Sequence, residues 1–235
     1  MRQQNDENSG QVGLFNKDEL QSDYFEVPNI PEKGEREYLA WEKETMGFYV
    51  TGHPLDEYSD RIRDLTSITN IRSRTFNQGK MVKFAGIILD VRKHTTKKGD
   101  LMCFLRLEDY LDKIDVTVFT AQYYKSMQCL YPDNAVVIQG KVEYSGEDVV
   151  IIADSIWNAK SYEPDYYLTV SDNLEQEETY SKLKEIMQSH RGRNVVYLNK
   201  RGEWQKLNAN YQVKYSEQLS SEFISLLGSE NVRKY

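Results

Sequence analysis

Five segments between residues 80 and 157 carry the side-chain pattern of β-strands. In residues 101–108 every odd position is Leu or Cys, whereas the even positions include Phe104 and Arg106. Residues 114–118 alternate in the same way. A period of two puts one set of side chains on the inner face of a sheet and the other set on its outer face. The pattern therefore predicts a strand-rich domain with Phe104 and Arg106 facing outward.

The order of these segments indicates the type of β-domain. Three predicted strands are followed by one helix-like stretch and then by two strands joined at the hairpin turn Tyr144-Ser145-Gly146-Glu147. This order is typical of the five-stranded Greek-key OB barrel, which has its helix between strands three and four. We therefore expect an OB-fold domain over residues 76–160. The predicted strands are 82–92, 101–108, 114–119, 135–143 and 149–157, and the predicted helix is 121–129.

The remaining sequence predicts a tail, a linker and a second small domain, so the predicted fold class is mixed. Residues 1–34 are polar, acidic and twice interrupted by proline, and we expect a flexible tail. Residues 35–75 predict a linker with short helices, and residues 165–235 predict a small α+β domain. The expected linker elements are helices at 35–46 and 55–63 and a connector at 68–74; the expected terminal elements are strands at 166–170 and 194–198, helices at 177–189 and 216–227, and a cap at Gly228.

Charge and composition restrict the function classes. The chain has 235 residues and a net charge of −7, which argues against a protein covered with nucleic acid over its whole surface. Only residues 70–160 are net basic, with 13 basic against 11 acidic side chains, so a nucleic-acid contact is expected there. Cys103, Cys129 and three scattered histidines match neither a disulfide framework nor a zinc site, and no metal or cofactor is expected. Without a long apolar run or a secretory signal, the chain is expected in the cytoplasm and not in a membrane.

An apolar pair stands in the polar N-terminal segment. Gln11-Val12-Gly13-Leu14-Phe15 places Leu14 beside Phe15 in a region too poor in apolar residues to bury them itself. Exposed apolar pairs in flexible segments usually become buried in a partner. Gln11, Leu14 and Phe15 are therefore predicted to bind another protein, and the alternative is a chance pentapeptide.

The predicted barrel offers two kinds of nucleic-acid contact. OB domains bind oligonucleotides through strands two and three and through the loops between strands 1–2 and 4–5. The first loop, predicted at 92–99, is basic and would meet phosphates, while outward side chains of the strands would stack on bases without sequence preference. The alternative is a solvated basic hairpin on a barrel that contacts protein. The predicted contact residues are Arg92, Lys93, Lys97, Lys98, Phe104, Arg106 and Phe119.

Three aspartates at the end of the second predicted strand have a metal-binding alternative. Asp109, Asp112 and Asp115 could be compared with the paired carboxylates that hold magnesium in polymerases. They lack a basic or Gly-rich phosphate cradle, however, and the sequence favours turn-forming, solvated carboxylates.

Residues 39–55, Leu39-Ala40-Trp41-Glu42-Lys43-Glu44-Thr45-Met46-Gly47-Phe48-Tyr49-Val50-Thr51-Gly52-His53-Pro54-Leu55, strongly resemble a segment of the bacterial DNA polymerase III alpha subunit. In that family the segment ends the region between the polymerase core and the OB domain. Its aromatic residues Trp41, Phe48 and Tyr49 are expected in the core. His53 is expected to cap or pack a turn, because no nucleophile or carboxylate partner for catalysis is visible.

The resemblance extends from Gln11 over essentially the whole chain. Gly86-Ile87-Ile88 and Val116-Thr117-Val118-Phe119 look like strands one and three of the family's OB domain, and His190-Arg191-Gly192 is similar to part of its terminal domain. Within the family, the pattern Gln-x-x-Leu-Phe binds the ring-shaped sliding clamp (beta), and Gln11-Val12-Gly13-Leu14-Phe15 fits it without a mismatch.

The resemblance implies a replication module without a catalytic site of its own. The family's catalytic aspartates lie far upstream, so the parent would be a DNA-directed DNA polymerase while this chain would bind the clamp, single-stranded DNA and the clamp-loader tau subunit. Weak contacts on one chain would act together by avidity. The alternatives are a free-standing OB adaptor for tRNA or single-stranded DNA, and a hydrolytic enzyme in the terminal domain. The chain is expected to begin between two domains.

Overall fold

The computed structural model describes residues 34–171, 176–200 and 202–235. The chain divides into two units, Met1–Tyr38 and Leu39–Tyr235. Of the first unit only residues 34–38 are described, where helix α1 (Glu35–Met46) begins. The predicted tail and its peptide Gln11–Phe15 lie outside the described residues. In the part of the chain that is described, no helix combines the length and the apolar composition needed to cross a membrane.

Three further helical segments precede the barrel, and one of them was not expected. They are a 3-10 turn at Asp56–Tyr58, α2 (Ser59–Ile62) and α3 (Ile68–Arg72). Helix α3 replaces the predicted connector. Its first turn is capped by Ser67, which accepts a hydrogen bond from the Asn70 N–H at 3.2 Å, and by Asp109, which accepts one from the Ile68 N–H at 2.7 Å. Because Asp109 comes from a distant part of the chain, the local sequence does not reveal this helix.

Two aromatic residues that were expected in the core lie on the surface instead. Trp41 is 51% exposed and Phe48 is 62% exposed, whereas Tyr49 is half-buried. Among the described side chains of α1, only Leu39 is buried. The sequence shows that the helix has an apolar side, but tertiary packing decides how much of that side is covered.

Five strands close into a barrel in the order β1-β2-β3-β5-β4. Neighbouring strands are antiparallel except β3 and β5, whose parallel pairing closes the barrel. The helix α4 (Thr120–Ser126) and a 3-10 turn at Met127–Cys129 connect β3 to β4. The predicted OB architecture is therefore confirmed. The strands are β1 (Met81–Thr95), β2 (Leu101–Glu108), β3 (Lys113–Val118), β4 (Ala135–Ser145) and β5 (Asp148–Asn158).

A glycine in β4 permits the close approach of β5. A Cβ atom on Gly140 would lie 2.5 Å from Ile151 Cγ2 and 2.6 Å from the Ile152 carbonyl oxygen. The register of β4 and β5 shifts between Gln139 and Gly140. Such a bulge bends a strand, and here it lies between two neighbouring antiparallel strands of the barrel.

The first strand is longer than the sequence predicts. Its pairing with β2 continues until Thr95 lies opposite Leu101, so the connecting loop comprises residues 96–100 and not 92–99. Gly99, with φ of +86°, supplies the turn. The end of β1 extends past the barrel core with exposed polar side chains, which is why hydrophobic alternation does not mark it as strand.

The terminal domain has a four-stranded sheet in the order β10-β6-β8-β9. Helices α5 (Gln176–Ser189) and α6 (Glu217–Leu227) share one core with the inward side chains of this sheet, including Tyr166, Leu168 and Val196. Gly228 caps α6 with φ of +91°. The strands are β6 (Tyr166–Thr169), a short outlying β7 (Arg191–Asn194), β8 (Val196–Lys200), β9 (Glu203–Lys206) and β10 (Val232–Lys234).

The linker covers one side of the barrel. Leu55, Tyr58 and Ile62 pack against the outward side chains Ala85 of β1 and Val137 of β4 in a second apolar cluster. This contact occupies the outer surface of β1 and β4. The predicted contact residues lie on a different part of the outer surface. The C-terminal half of β1 forms that part together with β2 and β3.

Candidate nucleic-acid interface

The register of the barrel brings four of the seven predicted contact residues onto one outer face. Arg92 of β1 lies opposite Phe104 of β2, and Arg106 lies opposite Asp115 of β3. Phe119 comes directly after Val118, the last residue of β3, which lies opposite Cys103. By the alternation of the strand, Phe119 lies on the same side of the sheet as Thr117. We call this surface, formed by the outward residues of β1, β2 and β3, the barrel face.

Two phenylalanines give the barrel face an aromatic character. Phe104 is 39% exposed and Phe119 is 51% exposed. The His94 ring lies 6.3 Å from the Phe104 ring, centroid to centroid. A strand holds Phe104 in place, and Phe119 is fixed where its carbonyl oxygen accepts hydrogen bonds from the first turn of α4. Rings held this way can stack on bases with little loss of side-chain freedom.

The two arginines of the barrel face are already paired with carboxylates. The Arg106 Nη1 atom lies 3.1 and 2.9 Å from the two oxygens of Asp115, and Arg92 Nε lies 3.3 Å from Asp90. These groups are exposed, so the pairs are weak and solvent-screened. Their charges nevertheless cancel, and the middle of the barrel face is close to neutral.

Three lysines without an ion pair to any described residue lie on the β1–β2 hairpin. Lys93, Lys97 and Lys98 are all exposed, and no ion pair of theirs occurs within the described ranges. Lys93 is opposite the inward residue Cys103 in register, so it lies in β1 on the other side of the sheet from Arg92 and Phe104. Burial raises the pKa of the Cys103 thiol to about 11, and Lys93 acts in the opposite sense. Lys97 and Lys98 thus make the hairpin tip, which adjoins the barrel face, basic, and Lys93 adds a charge on the other side of the same hairpin.

The other end of β2 borders a groove of about 580 Å³ between the barrel and residues 43–53. Its charges are internally compensated: Lys43 and Lys113 share Glu108, Arg72 lies 3.1 Å from Asp112, and Asp109 adds a third carboxylate to the lining. A groove with balanced charges offers phosphates no net attraction. The electrostatics therefore favour the hairpin end of the barrel face for nucleic acid.

His53 has a structural position beside this groove. The Nδ1 atom of its ring accepts a hydrogen bond from the Leu55 N–H at 3.1 Å, and the backbone N–H of His53 donates one to the Asp56 carboxylate at 2.7 Å. The imidazole contacts Tyr49 and Tyr110, with centroids 5.1 and 4.5 Å away. These contacts fit the expected role in capping a turn.

The three aspartates near the turn after β2 are each engaged with protein groups. Asp109 accepts hydrogen bonds from the Leu111 and Asp112 N–H groups at 3.0 and 2.9 Å. Asp112 and Asp115 pair with arginines, as described above. Across residues 34–171, 176–200 and 202–235, no group of three metal-ligating side chains lies close together.

The acidic partners are the part of the site that the sequence did not reveal. Asp90 neutralises Arg92 within the same strand, and Asp115 neutralises Arg106 from the neighbouring strand. A register alignment of β1, β2 and β3 could have found Asp115, because a hairpin with a short turn places it opposite Arg106.

Comparison with known proteins gives one family and a consistent set of relatives. The family tRNA_anti-codon, described as an OB-fold nucleic acid binding domain, matches residues 82–159. DNA polymerase III subunit alpha of Halalkalibacterium halodurans is 28% identical over 234 residues, which is 96% of this chain and 20% of that protein. The Escherichia coli K12 protein of the same name is 24% identical over 243 residues, with 95% and 20% covered.

Other matches are shorter. The Treponema pallidum DNA polymerase III subunit alpha is 33% identical over 154 residues, 63% of this chain and 13% of that protein. Among solved structures, the S. pombe Stn1–Ten1 complex matches 40% of this chain and 76% of its own with 16% identity and a TM-score of 0.34. The chain spans about a fifth of the length of the first two relatives. The resemblance found in the sequence is therefore confirmed: the chain is related over nearly its whole length to the C-terminal region of the bacterial DNA polymerase III alpha subunit.

Proposed function

We propose that this chain acts in DNA replication as a non-catalytic part of a replicative DNA polymerase, in which its barrel holds single-stranded template DNA. The relationship to DNA polymerase III alpha subunits supports the replication role. The observation that carries the DNA contact is the barrel face, where exposed Phe104 and Phe119 adjoin the basic hairpin tip. The tip would attract the phosphates, and the rings would stack on bases.

The contact is expected to be weak and without sequence preference. Stacking is available to every base, and the neutral middle of the barrel face limits the electrostatic contribution to the hairpin lysines. A weak contact suits a polymerase subunit that must move along its template. Affinity for the replication site would come from several such contacts on one chain.

The test is the affinity of the chain for an oligo(dT) of about 16 nucleotides, the upper end of an OB site. We expect Phe104→Ala/Phe119→Ala to weaken binding about tenfold or more, since each stacked base contributes about 1–3 kcal/mol. Tyr131→Ala is the matched control, because Tyr131 is a 50% exposed aromatic residue elsewhere on the barrel. Equal affinity of the double variant and the control would rule out stacking at the barrel face.

The clamp contact remains a proposal based on Gln11, Leu14 and Phe15. The glutamine amide would fix the register of the peptide, and the Leu–Phe pair would fill an apolar cleft on the sliding clamp. Leu14→Ala/Phe15→Ala is expected to abolish clamp binding, whereas Val12→Ala, inside the peptide but outside the pattern, is expected to retain it. Binding by the double variant at the affinity of the unchanged chain would refute this role.

The terminal domain is proposed to dock the clamp-loader tau subunit. An apolar pocket of about 80 Å³ opens between α5 and the two central strands of the sheet, β6 and β8, a volume suited to one aliphatic side chain of a partner. Buried apolar anchors of this kind dominate the energetics of many protein interfaces. The pocket is lined by Leu168, Tyr180, Leu183, Lys184, Met187, Leu198, Leu207 and Tyr211.

A free-standing OB adaptor for tRNA is the second candidate, favoured by the name of the family that matches the barrel. Structured RNA as a competitor distinguishes the two functions. A replication module is expected to prefer single-stranded DNA, whereas a tRNA adaptor would prefer tRNA over oligo(dT). A cytoplasmic location stays a prediction for either candidate.

A further inference from the structure

The sheet of the terminal domain has a second face, opposite to its helices, that is rich in aromatic side chains. In the register of the sheet, Tyr167 of β6 lies beside Tyr197 of β8 on one side and Arg233 of β10 on the other. Trp204 of β9 lies opposite Asn199, two residues along β8 from Tyr197 and on the same face. We call this surface the terminal aromatic face.

The rings of the terminal aromatic face pack into one cluster around Tyr167. Tyr197 stacks on it with centroids 4.4 Å apart and an angle of 10°. Trp204 and Tyr235 approach it edge-on at 5.4 and 5.3 Å. This mutual support holds the rings in fixed orientations, while Trp204 remains 47% exposed.

The packing of α5 and α6 against the sheet does not explain why these aromatic residues are present. The core shared with α5 and α6 takes the alternate, inward side chains of the same strands, including Tyr166, Leu168, Val196 and Val232. Burying an aromatic ring in that core stabilises the fold; cross-strand ring contacts on the other face also stabilise the sheet, but they do not require a tryptophan to stay half exposed. A surface ring cluster of this kind is typical of a binding surface.

Two cations and one carboxylate lie at the terminal aromatic face. Lys206 lies opposite Tyr197, and Arg233 lies opposite Tyr167; both are exposed. The nearby carboxylate of Asp165 accepts a hydrogen bond from the Val195 N–H at 2.7 Å. Cations beside aromatic rings complement a ligand that carries both planar bases and phosphates.

We propose that the terminal aromatic face binds single-stranded nucleic acid, with bases stacked on Trp204 and its neighbouring rings and with phosphates near Lys206 and Arg233. Four-stranded sheets that present aromatic side chains on an open face bind single strands in this manner. The site is separate from the barrel face, since it lies on a different sheet. It gives the chain a second nucleic-acid contact in the domain that is otherwise proposed to dock a protein.

The direct test uses Trp204 as its own reporter. The chain has three tryptophans, and Trp41→Phe/Trp157→Phe leaves Trp204 as the sole indole in the full chain. We expect saturable quenching of its fluorescence on addition of oligo(dT), and the quenching should persist when Phe104→Ala/Phe119→Ala is added. Persistence separates this site from the barrel face, so failure of one contact does not imply failure of the other.

Affinity measurements complete the test. Trp204→Ala is expected to lower the affinity for oligo(dT) about tenfold, Trp204→Phe to restore most of it, and Tyr131→Ala to leave it unchanged. Absence of quenching, or an unchanged affinity in Trp204→Ala, overturns the proposal. If Trp204→Ala instead lowers only the affinity for tau, the terminal aromatic face is a protein-docking surface and the proposal is wrong.

Discussion

Lys234 places its Nζ atom 2.7 Å from a carboxylate oxygen of Asp60, and this contact joins the terminal domain to the linker of the barrel. The Lys234 side chain is only 2% exposed, whereas that of Asp60 is 40% exposed. Tyr215 donates a hydrogen bond to the second oxygen of Asp60, and Asp64 accepts one from the Lys234 N–H at 2.8 Å. Charge-assisted hydrogen bonds of this kind fix the two domains in one arrangement.

Removing the buried amine of Lys234 is expected to destabilise the chain. Lys234→Met leaves Asp60 without its cation, and we expect a loss of about 2 kcal/mol in the free energy of unfolding, less than the roughly 3–5 kcal/mol of a fully buried pair. Urea denaturation measures this loss. Lys182→Met is the matched control, because Lys182 pairs with Glu178 on the surface of α5 and such pairs contribute about 0.5 kcal/mol or less. Equal losses in the two variants would contradict the role of Lys234.

Acidification is expected to destabilise the turn at His53. Burial lowers the pKa of His53; Asp56 opposes this effect and Lys43 adds to it. The pKa of His53 in the folded chain therefore lies below its unfolded value of about 6.5, and the unfolded chain binds more protons in this range. The contribution of the neutral His53 ring to stability is complete above about pH 6.5 and is lost as the pH falls through the folded pKa. NMR titration of the His53 ring and the Leu55 amide measures this directly. A folded pKa above that of an unfolded peptide would contradict the prediction.

The barrel was predictable because its strands obey a simple alternation. In β2 the inward Cys103, Leu105 and Leu107 are buried, and the outward Phe104 and Arg106 are exposed, as the sequence pattern requires. Two short strands of the terminal domain, β9 and β10, were missed for the opposite reason. All four residues of β9 are exposed, and β10 has only three residues, so neither carries an alternation that could be recognised.

The sequence predicted which charged residues belong to the site, but it did not predict which of them form ion pairs. Lys97 and Lys98 lie in the loop that the sequence predicts, but Arg92 and Lys93 belong to β1. Whether a cation is available to a phosphate depends on its neighbours across the sheet, as the Arg106–Asp115 pair illustrates. Such pairs form between strands and are set by register, which composition does not give.

Removing the carboxylate that pairs with Arg106 is expected to strengthen DNA binding. Asp115→Asn releases the Arg106 guanidinium for a phosphate, which should raise the affinity for oligo(dT) several-fold and steepen the salt dependence by about 0.7, the increment for one more phosphate contact on a single strand. Asp154→Asn is the control, because it changes the net charge equally at an exposed position of β5. If both variants bind alike, the gain comes from net charge and not from Arg106.

The central claim is that the hairpin tip of the barrel face holds single-stranded DNA, and its most direct test is the affinity for oligo(dT) as a function of salt concentration. Lys93→Ala/Lys97→Ala/Lys98→Ala is compared with Lys125→Ala/Lys160→Ala/Lys184→Ala, which removes three exposed lysines elsewhere. The hairpin variant is expected to bind more weakly and to lose about 2 from the slope of log affinity against log salt, or roughly 0.7 for each phosphate contact. A slope and an affinity equal to those of the control would show that the barrel does not hold DNA through this hairpin.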